Sequence, residues 1–164
     1  MLKPVKAKMS RASSGSFAIV ASRYNEQYVD AMLHAAREEL LKAGAHVRII
    51  RVPGAFEIPA VAAKLADVNT KHKTRNPKLS AIICLGVIFQ GETPHAQHIA
   101  WGITHALAGI QVQHKIPVIH GVFLFEKQKH ARVRCLDPKH NRGIEAAQTA
   151  LEMARVMAWL GGEV

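Results

Sequence analysis

Cysteine and aromatic residues are scarce in this chain of 164 residues, which has two Cys, five Phe, two Trp and two Tyr. Two cysteines cannot build the disulfide framework that stabilises small secreted domains. Cys84 also lies within an apolar run, where a thiol usually packs as a small core side chain. The cysteine content therefore excludes a disulfide scaffold and favours a reducing, cytoplasmic environment.

Long apolar stretches are missing too. No run of about 18 apolar residues occurs, and the N-terminal region lacks the apolar segment of about 7–15 residues that a secretory signal needs. Apolar residues still make up 49% and charged residues 21% of the chain, ordinary values for a globular protein. The sequence therefore predicts neither a membrane helix nor a signal, excludes a collagen-like or wholly disordered chain, and favours one folded core.

Acidic residues are few: 12 Asp and Glu face 22 Lys and Arg, so the net charge is +10. Basic residues concentrate in 1–14, in 71–78 and in 127–142. Such a charge favours an anionic partner, either a phosphorylated small molecule or a nucleic acid. Nucleic acid is the weaker alternative, because no helix-turn-helix or stacking-aromatic pattern accompanies the charge. For the first two clusters, solvated lysine-rich loops explain the composition equally well.

Short apolar segments alternate with segments of helical periodicity from Phe17 onward. The predicted strands are Phe17–Ser22, His46–Val52, Ala81–Ile88 and Ile116–Phe123. The predicted helices include Val29–Leu40, Ile58–Ala66, a segment with its N-cap at Thr93 and Pro94 in first position, and Ile144–Leu160, with a polar loop at Asp67–Leu79. This alternation predicts an α/β fold, an αβα sandwich around a four-stranded, mainly parallel sheet. We expect residues 1–15 to form a flexible basic arm and residues 16–164 a single domain.

The last predicted helix carries more apolar surface than one sheet contact requires. One stripe contains Ile144, Ala147 and Leu151, and a second contains Ala146 and Ala150, followed by Met153 and Met157. One stripe would cover the sheet, and the other favours contact with a neighbouring subunit. The sequence therefore predicts a homo-oligomer.

Polar and aromatic residues follow the carboxyl ends of the predicted strands, where open parallel sheets bind their ligands. Tyr24 and Phe56 could stack on a planar heterocycle, and Glu57 could accept hydrogen bonds from a polar ligand. The segment from Gly91 to His95 leads into a helix N-terminus, which favours an anion and places an acid–base histidine beside it. Arg134 could hold a phosphate. His95 and His98 have no third partner at metal-ligand spacing, so no metal site is predicted.

Four segments resemble the signature segments of the lumazine synthase family. They are Val52–Pro59 (VPGAFEIP), Leu85–His95 (LGVIFQGETPH), Ile116–Val122 (IPVIHGV) and Asn141–Met153 (NRGIEAAQTALEM). The resemblance runs in order from about Ser16 to Leu160. It implies a flavodoxin-like fold and pentamers, in some members assembled into larger shells, with sites between adjacent subunits.

The resemblance also implies roles for individual residues. Tyr24 would stack on the pyrimidine of 5-amino-6-(D-ribitylamino)uracil, and His95 would transfer protons. The ribityl chain and the uracil edge would be bound by two segments, Ala55, Phe56 and Glu57, and Val87, Ile88 and Phe89. Glu92 and Thr93 would lie on the phosphate side, with Arg134 as the ligand for the phosphate of 3,4-dihydroxy-2-butanone 4-phosphate, and His120 would line the site.

The activity that the resemblance implies is condensation of these two substrates to 6,7-dimethyl-8-ribityllumazine, the penultimate step of riboflavin biosynthesis. One histidine and one arginine can supply the proton transfer and the anion binding without a cofactor. Inorganic phosphate and riboflavin synthase are the further candidate partners. A non-catalytic relative that only binds a flavin or lumazine is the alternative.

Several positions depart from the family's usual residues. Gln90 stands where an Arg is frequent, His120 where a Phe is usual, and Arg142 where a Lys is usual. Phe123-Leu124-Phe125 and Lys129-His130-Ala131 also differ from the common pattern. His95, Glu57 and Arg134 are retained, so these departures bear on substrate affinity and pose more than on the type of reaction.

Overall fold

A computed structural model describes residues 15–71 and 78–162. Its four strands are β1 (Ser16–Ser22), β2 (His46–Val52), β3 (Leu79–Phe89) and β4 (Val118–Phe125). All neighbouring strands are parallel, and their order in the sheet is β2-β1-β3-β4. The strand order reverses between β1 and β3, so the sheet has its switch point there.

The helices are α1 (Glu26–Lys42), α2 (Ile58–Thr70), α3 (His95–His114), α4 (Gln128–Ala131) and α5 (Arg142–Leu160). One face of the sheet is covered by α1 and α5, and the other by α2 and α3. The predicted αβα sandwich is therefore confirmed, and its arrangement is flavodoxin-like. No helix within the described ranges is both long and apolar enough to cross a membrane.

The two central strands are buried on both faces, which explains their continuous apolar sequences. Ile19 and Ile83 pack towards α1 and α5, whereas Val20 and Ile82 pack towards α2 and α3. All four side chains are fully buried. The alternation along each strand thus supplies two hydrophobic cores, one on each side of the sheet.

Several predicted boundaries need correction. Helix α2 continues to Thr70, into the stretch predicted as a polar loop. Asn69 makes this possible, because its side chain pairs with both the N–H and the carbonyl of Leu79 and joins the helix end to β3. Helix α3 begins at His95, with Pro94 rather than Thr93 at the N-cap. The predicted basic arm lies outside the described residues, apart from Gly15.

Two short elements after β4 were not predicted. Helix α4 is followed directly by a π-helical turn, Arg132–Leu136, which packs beside α1. Ala131 and Cys135 are the buried residues of this segment, and Leu136 packs partly against the same core. Val133 is exposed, and the remaining residues of 128–136 are polar or basic. The segment is too short for a helical period to be recognised in its sequence.

The apolar surface of α5 is distributed differently from the prediction. Ala147 from the first stripe and Ala146 and Ala150 from the second are all buried within the chain. The helix approaches α1 closely because position 143 is glycine: a Cβ there would lie 2.0 Å from the carbonyl oxygen of Met32. The N-terminal part of the second stripe is therefore covered within the chain, whereas Met153 and Met157 further along it are half-buried.

Candidate active site

The loops that follow the strands are joined to one another by backbone hydrogen bonds. The N–H of Arg23 donates to the carbonyl of Val52 at 2.9 Å, and the N–H of Tyr24 donates to that of Pro53 at 3.1 Å. At the same end of the sheet, between β3 and β4, the N–H of Gln90 donates to the carbonyl of Phe125 at 2.9 Å. The segments predicted to form a site therefore begin at the carboxyl-terminal end of the sheet, where these hydrogen bonds hold them together.

A carboxylate and an aromatic ring meet around Gly54. The N–H of Gly54 donates to Glu57 Oε2 at 2.9 Å. A Cβ built on Gly54 would lie 3.1 Å from Tyr24 Cδ2, so the tyrosine ring passes directly over this position. The ring itself is 71% exposed, and Phe56 nearby is 62% exposed. The arrangement offers a planar apolar surface beside a fixed carboxylate, which suits a planar ligand with donor groups.

Asn25 connects this cluster to β3. Its backbone is in the left-handed region (φ 57°), and its side-chain Nδ2 donates to the carbonyl of Val87 at 2.8 Å. Asparagine tolerates that conformation better than most residues, so its position after a strand was a usable signal that the sequence reasoning missed. The bond holds Tyr24 at a set distance from the end of β3. Ile88 is half-buried there, and Phe89 packs edge-on against Tyr28 with ring centroids 5.5 Å apart.

The turn between β3 and α3 contains Gly91, Glu92 and Thr93, all exposed. Both carbonyls at its ends, those of Gly91 and Thr93, accept hydrogen bonds of 2.8 Å from Gln90 Nε2. His95, also exposed, is the first residue of the 20-residue helix α3. Free N–H groups and the positive end of the helix dipole make this turn suitable for an anion next to a histidine.

We refer to Tyr24, Asn25, residues 54–57, 87–89 and 90–95 together as the strand-end half-site. Arg51 at the end of β2 does not add a free positive charge to it. One guanidinium nitrogen of Arg51 pairs with Asp30 at 2.6 Å, and the other donates to the carbonyl of Ser22 at 3.0 Å. Arg51 therefore braces the loop after β1.

His120 lies away from the strand-end half-site. It is on β4, five residues before Phe125 at the carboxyl end, which corresponds to roughly 16 Å along the strand. Its Nε2 lies 2.9 Å from Thr104 Oγ1, and that hydroxyl lies 2.8 Å from the carbonyl of Ala100. If the Thr104 hydroxyl donates to this carbonyl, it can accept from His120 only in the tautomer that carries a proton on Nε2.

Arg134 is separated as well. It belongs to the π-helical turn beside α1, and its neighbour Cys135 packs in the core on that face of the sheet. Phe56 and α3 lie on the opposite face, where a Cβ on Gly102 would be 3.7 Å from the Phe56 ring. Among the described residues, Arg134 has no hydrogen bond or ion pair. The structure thus brings most of the predicted site residues together but leaves His120 and Arg134 apart from them.

A second concave region, the β4-edge cavity, has a volume of about 420 Å³. It is lined by His120 and Phe123 of β4, by Gln111 of α3, and by an Arg142–Glu145 ion pair on α5. Strand β4 is the outermost strand of the sheet on this side, so the cavity is open along the sheet edge. Three of the positions that depart from the family pattern, His120, Phe123 and Arg142, therefore line one cavity.

Large apolar side chains are exposed at several points of the surface. Trp101, on α3, is 69% exposed and stacks on His105 with ring centroids 5.4 Å apart. Val156, Trp159 and Leu160 are exposed at the end of α5. These residues provide apolar area that another chain could cover.

Neither cysteine is a nucleophile of this site. Burial raises the pKa of the Cys84 thiol to about 12 and that of Cys135 to about 11. The reactive form of a cysteine is the thiolate, which is scarce at such pKa values. Within residues 15–71 and 78–162, no group of three or more His, Cys, Asp or Glu side chains is placed to hold a metal ion.

The fold and the half-site define an α/β protein whose parallel strands end in an exposed aromatic surface, a fixed carboxylate and a turn suited to an anion. A sequence model of the 6,7-dimethyl-8-ribityllumazine synthase family matches residues 14–158. A 6,7-dimethyl-8-ribityllumazine synthase of Stenotrophomonas maltophilia is 37% identical over 150 residues, which cover 90% of this chain and 92% of the relative. One of Xanthomonas euvesicatoria is 35% identical over 153 residues, covering 92% and 94%. The chain belongs to the 6,7-dimethyl-8-ribityllumazine synthase family.

Proposed function

We propose that the protein is an enzyme, a transferase that condenses 5-amino-6-(D-ribitylamino)uracil with 3,4-dihydroxy-2-butanone 4-phosphate to 6,7-dimethyl-8-ribityllumazine. This is the penultimate step of riboflavin biosynthesis. The observation that carries the proposal is the family match over residues 14–158. The strand-end half-site supports it, because it combines a stacking ring, a fixed carboxylate and an anion-binding turn.

The pyrimidine substrate would bind on the Tyr24 side of the half-site. Tyr24 and Phe56 are exposed aromatic rings on which the uracil can stack. Glu57, held by the Gly54 N–H, has its second carboxylate oxygen available for ribityl hydroxyls, with Ala55 and Phe56 beside it. Residues 87–89, at the end of β3, would offer backbone groups to the edge of the uracil. The hydrogen bond from Asn25 to the carbonyl of Val87 holds this end of β3 in place.

The butanone phosphate would bind at the turn before α3. Glu92 and Thr93 would present backbone N–H groups to the phosphate near the positive end of the helix dipole. His95 begins the helix next to that anion and would move the protons. The amine of the pyrimidine attacks the ketone to give a Schiff base with loss of water, phosphate is eliminated, and ring closure releases a second water. These steps need proton transfer and anion binding, which the chain's own residues can provide.

Arg134 and His120 would reach the substrates from a neighbouring subunit. Within one chain, Arg134 lies on the face of the sheet opposite Phe56 and α3. His120 lies roughly 16 Å before the carboxyl end of β4. A second copy of the chain is therefore needed to complete the site. We propose a homo-oligomer, a pentamer or a multiple of it, in the cytoplasm, with residues 16–164 as its single domain. Light scattering on the purified protein tests this, and a stable, active monomer at micromolar concentration would contradict it.

Riboflavin synthase, which consumes the lumazine, is the proposed macromolecular partner, and inorganic phosphate is the expected product ligand. The alternative of a non-catalytic lumazine-binding protein has no observation in its favour. Incubation with both substrates separates the two: only the enzyme produces lumazine absorbance and fluorescence.

His95→Ala should lower kcat by about 10- to 1000-fold without weakening substrate binding, as expected for loss of a general acid–base. A rise in KM with unchanged kcat would contradict the proton-transfer role of His95.

A further inference from the structure

Gln90 is held at three points immediately after β3. Its backbone N–H donates to the carbonyl of Phe125 at 2.9 Å. Its side-chain Nε2 donates to the carbonyls of Gly91 and Thr93, each at 2.8 Å. One side-chain amide thus joins the first and last carbonyls of the turn that precedes α3.

The orientation of this amide follows from its surroundings. Both groups that face Nε2 are carbonyl oxygens, which can only accept, so the opposite orientation would place Oε1 against two acceptors. Oε1 is buried and has no hydrogen-bond partner among the described residues. Gln90 therefore contributes to the turn as a double donor, with no net charge.

This donation has a consequence for the anion site. In a trans peptide the N–H points away from the carbonyl of the same peptide plane. Since the Gly91 carbonyl is directed at Gln90, the Glu92 N–H in that plane is directed away from Gln90. Pro94 contributes no N–H, so the orientation of the few remaining amides decides how well the turn binds an anion.

We infer that Gln90 is a positioning residue for the phosphate of the butanone substrate, acting through the Gly91–Thr93 turn. This inference rests on the proposed function. A neutral double donor acts by geometry rather than by charge, which distinguishes it from a cation at the same position. Arginine, the frequent residue of the family here, could also donate to both carbonyls and is therefore the conservative variant.

The test compares Gln90→Met, Gln90→Glu and Gln90→Arg, with Gln113→Met as the matched control. Gln113 is exposed near the end of α3, about 27 Å along the helix from His95. Gln90→Met should raise KM for the butanone phosphate about 5- to 100-fold, the range for one to two lost neutral hydrogen bonds. KM for the ribitylaminouracil should stay within about twofold, because Tyr24 and Glu57 are untouched. Gln90→Glu should raise KM for the butanone phosphate at least as much, because its carboxylate would face two carbonyl oxygens. Gln90→Arg should keep this KM close to that of the parent protein.

Two results would overturn the inference. One is a Gln90→Met variant with an unchanged KM for the butanone phosphate. The other is an equal rise in KM for both substrates, which would mean general distortion. Binding of inorganic phosphate, followed by ³¹P NMR without turnover, should weaken in parallel in Gln90→Met and not in Gln113→Met. If the parent protein binds phosphate but makes no lumazine, the proposed function fails while the role of Gln90 is still measured.

Discussion

Substituting Gly54 by alanine perturbs the positions of Glu57 and Tyr24 without altering either side chain. Gly54 has φ −126° and ψ 176°, an extended conformation open to any residue, so Gly54→Ala introduces no backbone strain. The added Cβ would lie 2.8 Å from Glu57 Oε2, and 3.1 and 3.2 Å from Tyr24 Cδ2 and Cε2. The carboxylate must therefore move away, and the ring must shift by a few tenths of an ångström.

The main energetic consequence is the loss of the hydrogen bond from the Gly54 N–H to the Glu57 carboxylate. A hydrogen bond to a charged group contributes about 1.5–3 kcal/mol. Water replaces part of it in the free protein, so we expect the free energy of unfolding to fall by about 1 kcal/mol or less. A ligand bound between the ring and the carboxylate feels both displacements. We expect KM for the ribitylaminouracil, and the Kd of the lumazine product measured by titration calorimetry, to rise about 10- to 100-fold.

The control is Gly109→Ala, because a Cβ there meets no other atom within 4 Å. It should leave both constants within about twofold. In a Tyr24→Ala background, Gly54→Ala should have a smaller effect, since part of its action passes through the ring. Unchanged binding of the pyrimidine in Gly54→Ala, with intact thermal stability, would refute the idea that this glycine positions the two side chains.

Two further predictions concern the phosphate and the thiols. Arg134→Ala should raise KM for the butanone phosphate about 10- to 150-fold, as expected for loss of one charge-assisted contact, and leave KM for the ribitylaminouracil unchanged. Arg132→Ala is the local control, and an equal loss in both variants would mean that the basic cluster acts only through its diffuse field. The raised pKa values of Cys84 (about 12) and Cys135 (about 11) stabilise the fold with both thiols neutral, and this stabilisation is complete below the pKa of the unfolded thiols. The free energy of unfolding should therefore fall as pH rises from about 9 to 11, by roughly 1.4 kcal/mol per pH unit and thiol, and denaturant titrations of Cys135→Ala should show a shallower decline.

Most of the framework could be predicted because its signals are local. Continuous apolar strands such as β3 occur where a parallel strand is covered on both faces, and that burial is visible in the sequence itself. The strand ends that carry Tyr24, Glu57 and His95 could be placed at one edge because parallel strands point the same way. Element boundaries were predicted wrongly where a side chain bonds to a residue remote in sequence. Asn69, for example, extends α2 by pairing with the backbone of Leu79.

Sequence alone therefore determined the family, the parallel sheet and the residues that lie at the carboxyl-terminal ends of its strands, since these depend on residue type and order. Three features were decided only by tertiary contacts: the Asn25 bond to Val87, the position of the Tyr24 ring above Gly54, and the burial of Ala146, Ala147 and Ala150 of α5 against the rest of the chain. The separation of Arg134 and His120 from the strand-end half-site belongs with them. Such features depend on which surfaces meet once the sheet is covered, and residues far apart in the chain supply the two sides of each contact.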